Sequence, residues 1–124
     1  MAEPIYKLEK LNFDGPLDLL LKLLEKNKVD IYDIPIAEIT NQYRDYVQSM
    51  EEADLDIISA FLVMATTLLD IKSRMLLPKE DTEEEEETDP REELVNRLLE
   101  YKRYKYISNG LRQYEELAEG YLYK

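Results

Sequence analysis

Histidine and cysteine are both absent from the 124 residues. Without cysteine there are no disulfides and no thiolate chemistry, which fits a cytosolic setting. Without histidine the chain lacks the commonest general base and the commonest metal ligand. Serine triads, zinc sites and thiol nucleophiles are thereby excluded or nearly so, and no metal or cofactor site is expected. Long apolar runs are missing too. The longest, Ala60 to Ala65, is six residues, whereas a membrane span needs roughly 18. The N-terminal residues lack a basic stretch followed by an apolar one, so no signal peptide is expected there. Only 3 glycines occur and none forms a phosphate-cradling loop. A carboxylate-only enzyme would need two acids converging in a pocket. The acids here fall on solvated faces, so no enzymatic activity is expected.

What is present is apolar content at 44%, enough for a core, and a net charge of −12. The charge is uneven. Residues 1–90 hold 9 Lys and Arg against 22 Asp and Glu, while residues 91–124 hold 7 against 6. An acidic surface repels phosphate backbones, so residues 1–90 are not expected to bind nucleic acid directly.

The pattern along the chain is mainly helical. Residues 5–13, IYKLEKLNF, alternate loosely and suit one short strand or an extended arm. DGPLDLLLKLLEKNK offers Asp14 as N-cap and Pro16 in the first turn, with Leu17, Leu20, Leu21 and Leu24 on one face. This predicts a helix over 16–27. Pro35 pushes Ile34 out of the helical region, so a second helix should start near Pro35. Its buried stripe would be Ile36, Ile39, Tyr43, Tyr46 and Val47. Glu51-Glu52-Ala53 reads as a turn. A third helix should run from about Asp54 to Leu77, stopped by Pro78. KEDTEEEEETD, residues 79–89, reads as an acidic flexible linker. Asp89 and Pro90 then open a helix expected to reach about Tyr106. Ser108-Asn109-Gly110 would break or weaken it, and a further stretch, Leu111 to Glu119, would end at Gly120.

The long third helix carries two apolar seams. One is Ile57, Phe61, Met64, Leu68, Ile71 and Met75. The other is Leu55, Ile58, Leu62, Ala65, Leu69, Lys72 and Leu76. Both have a mean period of 3.5, the spacing of a coiled-coil seam. An ordinary amphipathic helix has one stripe a little over 100° wide; this one has nearly two. Either the shorter helices wrap it completely, or a second copy covers the spare seam, or a foreign helix does. After the linker, six of the ten tyrosines cluster, at 101, 104, 106, 114, 121 and 123. Tyrosine is enriched at interfaces, because it buries area while keeping a polar handle.

Three segments carry a family resemblance: FDGPLDLLLKLLEKNKVDIYDIPIAEITNQY, LVMATTLLDIKSRMLLP and DPREELVNRLLEYKRYK. In order, from about residue 6 to 106, they resemble segregation and condensation protein A, the bacterial kleisin. The resemblance implies a non-enzymatic subunit of an SMC complex acting in chromosome condensation and segregation. It implies a cytoplasmic, nucleoid-associated protein that meets DNA only through the complex. The family's N-terminal helical domain packs on the neck coiled coil of an SMC ATPase. Its middle region is held by a dimer of segregation and condensation protein B. Its C-terminal winged-helix domain has no counterpart here, so bridging of two SMC heads is not expected of this segment alone.

Three parts are therefore expected. These are an N-terminal helical SMC-binding domain at 1–78, the acidic linker at 79–89, and a helical middle segment binding protein B at 90–124. The first seam (Ile57, Phe61, Met64, Leu68, Ile71 and Met75) is expected to face the SMC neck, because Lys72 interrupts the second. Leu94, Leu98, Tyr101, Tyr104 and Tyr114 are expected to meet protein B. The competing reading is a homodimeric helical scaffold that spends the spare seam of helix 54–77 on itself.

Overall fold

The computed structural model describes residues 13–50, 54–77 and 88–122. They form four helices: α1 (Pro16–Lys26), α2 (Ile36–Gln48), α3 (Leu55–Leu76) and α4 (Glu92–Leu122). No strand occurs among the described residues. The strand suggested for 5–13 lies almost wholly outside them, as do the turn at 51–53 and all but the end of the acidic linker.

α1 starts one residue later than a capping Asp14 would require. Gly15 is the N-cap and makes no side-chain cap bond. The bond runs the other way: the Asp14 N–H donates to Asp18 Oδ2 at 3.0 Å. A carboxylate in the first turn thus reaches back to a backbone donor ahead of the helix, which is half of a capping box. Pro16 occupies the first helical position, where its missing N–H costs nothing. The far end closes by a Schellman motif. The Val29 N–H donates to Leu24 O at 2.9 Å and the Lys28 N–H to Glu25 O at 3.1 Å. This geometry places Lys28 at φ 54°, in the left-handed region usually left to glycine. The Asn27 and Gln42 amides then pair reciprocally, at 2.8 and 3.0 Å, and tie this end of α1 to α2.

α2 begins just after Pro35, as the proline requires. Ile36, Ile39 and Tyr43 are buried, with Tyr46 and Val47 packed at the margin. The Tyr43 hydroxyl donates to the Phe61 carbonyl at 2.7 Å, inside the core. That bond satisfies the one polar atom of a large apolar group and fixes α2 against α3. Burial pushes the Tyr43 phenol up. α3 ends at Leu77, which is extended (ψ 136°), as a residue before proline should be.

α4 departs most from expectation. It runs unbroken for 31 residues, through Ser108-Asn109-Gly110 and through Gly120. A glycine inside a helix costs roughly 1 kcal/mol. Neighbouring Leu, Arg, Gln, Glu and Ala residues are strong enough helix formers to carry it. A Cβ at Gly110 or Gly120 would meet nothing within 4 Å, so no close packing explains either glycine.

One core joins the four helices. Leu19, Leu20, Leu23 and Leu24 of α1 sit between Ile39 and Tyr43 of α2, Phe61, Met64 and Leu68 of α3, and Leu94 and Leu98 of α4. α1 contacts all three other helices, and α2 packs along α3.

Lys28→Gly should remove the left-handed penalty while leaving the Schellman bonds in place. A gain of about 1 kcal/mol, or a few degrees in Tm, is expected. An unchanged or lower Tm in thermal melts would contradict it.

Candidate protein-interaction surfaces

The two seams of α3 have different fates. Phe61, Met64, Leu68 and Ile71 are buried, Leu68 completely. Ile57 is half-buried, and Met75 is 42% exposed, lining a groove against the α1–α2 loop. The seam expected to face outward is therefore the core seam. α1 and α2 cover it, and the Tyr43 ring stacks on Phe61 at 6.4 Å. The other seam faces out: Leu55, Leu62, Leu69 and Leu76 are exposed, and Val63 beside them. Ile58, Ala65 and Lys72 are half-buried along its edge. The physical reason lies in Lys72. A lysine is almost never fully buried, so the seam containing it is the one left near water. Asp70 and Arg74 pair on this outer side at 3.3 Å, in solvent. The result is an apolar strip about 32 Å long on one helix, well beyond the scattered apolar residues of an ordinary surface.

α4 divides into a docked half and an undocked half. Leu94 and Leu98 are buried against α1, and Tyr101 is half-buried beside them. These three were expected to wait for a partner. Instead they continue the core, because α1 has a face that α2 and α3 leave open. Tyr104 and Tyr114 are 66% and 73% exposed. Tyr106, Ile107, Leu111, Leu117 and Tyr121 are exposed with them.

Two polar anchors hold the docked half. At its start, Arg91 is only 17% exposed. It donates to Asp33 Oδ1 at 2.8 Å, to the Ile34 carbonyl at 2.9 Å and to Asp89 Oδ2 at 2.7 Å. The Asp89 side chain holds the guanidinium pKa above its usual range, and Arg91 in turn holds the Asp89 carboxyl below its own. At the other end Lys105 bonds Asp18, a carboxylate just 2% exposed. Lys22 stands 3.7 Å from the same carboxylate. Burial alone pushes the Asp18 carboxyl up, but Lys105, the Asp14 N–H and Lys22 together hold it below its ordinary value. Burial pushes Lys105 down, and Asp18 more than reverses that. Sequence patterning missed both anchors. The available signal was Asp18 itself, a lone acid inside a leucine run, which calls for a cation opposite.

Among the described residues no group of three or more acidic side chains could hold a metal ion, and none of their helices is long and apolar enough to cross a membrane. The geometry is that of a small helical scaffold with two uncovered apolar helix faces. Its sequence relatives are specific. The family model for segregation and condensation protein ScpA matches residues 23–123, and the chain belongs to that family. It is 54% identical over 118 residues to segregation and condensation protein A of Brevibacillus brevis, covering 89% of this chain and 46% of that protein. It is 57% identical over 106 residues to the protein of that name from Clostridium acetobutylicum, covering 84% and 43%. With the Listeria innocua protein it shares 51% over 129 residues, covering 100% and 51%. The chain thus spans about half the length of the curated relatives it matches.

Two outcomes follow from this geometry. Leu68→Ala should cost about 2–5 kcal/mol, whereas Leu69→Ala, its exposed neighbour, should stay within about 1 kcal/mol. Equal losses in urea melts would mean the seams are not divided as described. Asp18→Asn should lower Tm at neutral pH by removing the Lys105 pairing. The folded Asp18 pKa lies below its unfolded value of roughly 3.9, so the pair's contribution is complete above that value. It is lost as pH falls through the folded pKa. The gap between wild type and Asp18→Asn should therefore close in the acid range. A gap constant from pH 7 to pH 2 would show that the pair is not responsible.

Proposed function

We propose that this chain is the N-terminal and middle part of a kleisin subunit, a non-enzymatic connector acting in chromosome condensation and segregation. In this reading α3 joins the neck coiled coil of an SMC ATPase, and the outer half of α4 meets segregation and condensation protein B. The observation that carries the reading is the uncovered 3.5-period seam of Leu55, Leu62, Leu69 and Leu76. A helix whose one seam is core and whose other seam is free, at coiled-coil spacing, suits a helix added to a two-stranded coiled coil. The names of the relatives supply the role, segregation and condensation.

The SMC-facing set is then the outer seam of α3. For protein B, Tyr104 and Tyr114 remain in place, joined by Ile107, Leu111 and Tyr121. Leu94 and Leu98 act indirectly, by fixing α4 to α1 so that its outer half projects from the bundle. At 31 residues α4 is about 46 Å long, and less than half of that lies against α1. The helical module and the protein B segment are in this view one body at the root of α4.

The alternative is a second copy of the chain on the same seam of α3. It is favoured by the same exposed leucines and separated from the first reading by mass. Light scattering should find the chain monomeric alone and in a stoichiometric complex with an SMC head that carries its neck. Leu62→Glu with Leu69→Glu should abolish that complex while helical content and Tm stay near wild type. A concentration-dependent dimer that ignores SMC, or a double variant that still binds, would sink the proposal.

A further inference from the structure

The outer seam of α3 does not end in open solvent. At its C-terminal end Lys72, Met75 and Leu76 form one wall of an open groove of about 620 Å³. Val29, Ile34 and Pro35 of the α1–α2 loop form the other wall, with Ile36 and Ala37 from the first turn of α2. Ile34 and Ile36 are buried, so the floor is apolar, while Leu76 is exposed at the edge. Lys72 and Leu76 belong both to the seam and to the groove. The two are one continuous surface.

The mouth of the groove is acidic. Asp30, Asp33 and Glu38 line it, and all three are exposed. Asp33 is held by Arg91, which Asp89 shares. The Asp30 carboxylate accepts only the Tyr32 N–H, at 3.0 Å, and Glu38 has no partner among the described residues. Lys72 is half-buried and has no carboxylate partner among them either. Even if Lys72 swings onto one of these two acids, the other stays without a cation. With Asp89 included, four carboxylates face two cations.

These charges select the occupant. A phosphate backbone, or any other anion, is repelled. Residues 78–87 of the chain itself carry seven carboxylates, with Pro78 as their only apolar side chain, so they match neither floor nor rim. A second copy brings a further net charge of −12. What fits is a helix lying along the outer seam, with a large apolar side chain over the groove and a lysine or arginine one turn from it. A large side chain seated in a pocket and ringed by weaker contacts is the anatomy of an interface hot spot.

We infer that the groove is the terminal pocket of the α3 interface. It seats a large apolar side chain of the partner helix on Ile34, Pro35 and Met75, while Asp30 and Glu38 bind a lysine or arginine one turn away on that helix. A seam of regular period lets a partner helix slide by a heptad with little change in contact. One pocket at one end of the seam, with charges beside it, admits a single register and direction. This rests on the reading of the outer seam as the surface for the SMC neck, and extends that surface from α3 to the α1–α2 loop.

The experiment titrates an SMC head carrying its neck against the chain and its variants, by calorimetry at several salt concentrations, with a thermal melt of each variant. Ala37→Phe fills the groove; Ala37 is exposed, so the added ring displaces no core. Glu38→Lys reverses the rim and Glu38→Gln neutralises it. Glu100→Lys makes the same reversal at an exposed site on α4, away from the groove, and serves as the control. Ala37→Phe and Glu38→Lys should each weaken binding by about tenfold or more, with Tm near wild type. Glu38→Lys should also flatten the salt dependence, and Glu38→Gln should fall between it and wild type. Glu100→Lys should bind as wild type. Reversal of one lysine or arginine of the neck to glutamate should restore the affinity of Glu38→Lys. If Ala37→Phe and Glu38→Lys bind as tightly as Glu100→Lys, while Leu62→Glu with Leu69→Glu abolishes the complex, the groove inference falls and the seam reading stands. A loss confined to Ala37→Phe would overturn the basic partner residue. A chain that binds no SMC overturns both readings. A dimer of the chain alone, dissolved by Ala37→Phe, would overturn the SMC helix in favour of a second copy.

Discussion

Leu19, Leu20, Leu21, Leu23 and Leu24 all lie inside the bundle, on an α1 of eleven residues. A helix buried on that much of its circumference cannot be satisfied by one neighbour. α1 is accordingly the element that touches all the others. Each fully buried leucine contributes roughly 1.5–3 kcal/mol relative to exposure, and α1 supplies more buried apolar side chains than any other helix. The short helix decides where the long ones go. α2 and α3 take two sides of it, and the first turns of α4 take the third.

That arrangement leaves a deficit on the long helices. α3 is about twice the length of α1 and has apolar residues around more than half its circumference. α1 and α2 together can cover one seam. The other stays in water, as does the half of α4 that outruns α1. The two uncovered faces are consequences of mismatched lengths: short helices make the core, and long helices exceed it. Polar anchors keep the excess well placed. Arg91 at one end of the docked segment and the Asp18–Lys105 pair at the other fix the axis of α4, so its projecting tyrosines start from a defined direction. Paired carboxylates and cations of this kind contribute little net stability, but they tolerate only one register.

Most helix boundaries could be read from local chemistry. Pro16, Pro35 and Pro78 mark ends whose physics is purely local: α1 and α2 begin, and α3 ends, within a residue or two of them. The glycines of α4 neither break nor end it, because a single-residue penalty of about 1 kcal/mol is outvoted by helix-forming flanks. The stripe of Leu94, Leu98 and Tyr101 was visible too. Whether it served a partner or the chain's own core depended on an open face of α1, which no reading of residues 90–124 by themselves could reveal. Lys72 was the one clue to the division of α3, and it pointed to the seam that stays outside.

The sequence by itself determined that this chain is helical, without thiol or imidazole chemistry, and richer in apolar helix face than its length can hide. It also carries the motifs of its family. Those properties follow from residue type and spacing, and survive any rearrangement of the helices. Which seam is spent on the core and which is left over was decided only by tertiary structure, as was the docking of α4. Two seams of equal period and similar bulk are locally equivalent. Only the position of a third element, here α1 with Tyr43 of α2 bonded to the Phe61 carbonyl, makes one of them the inside.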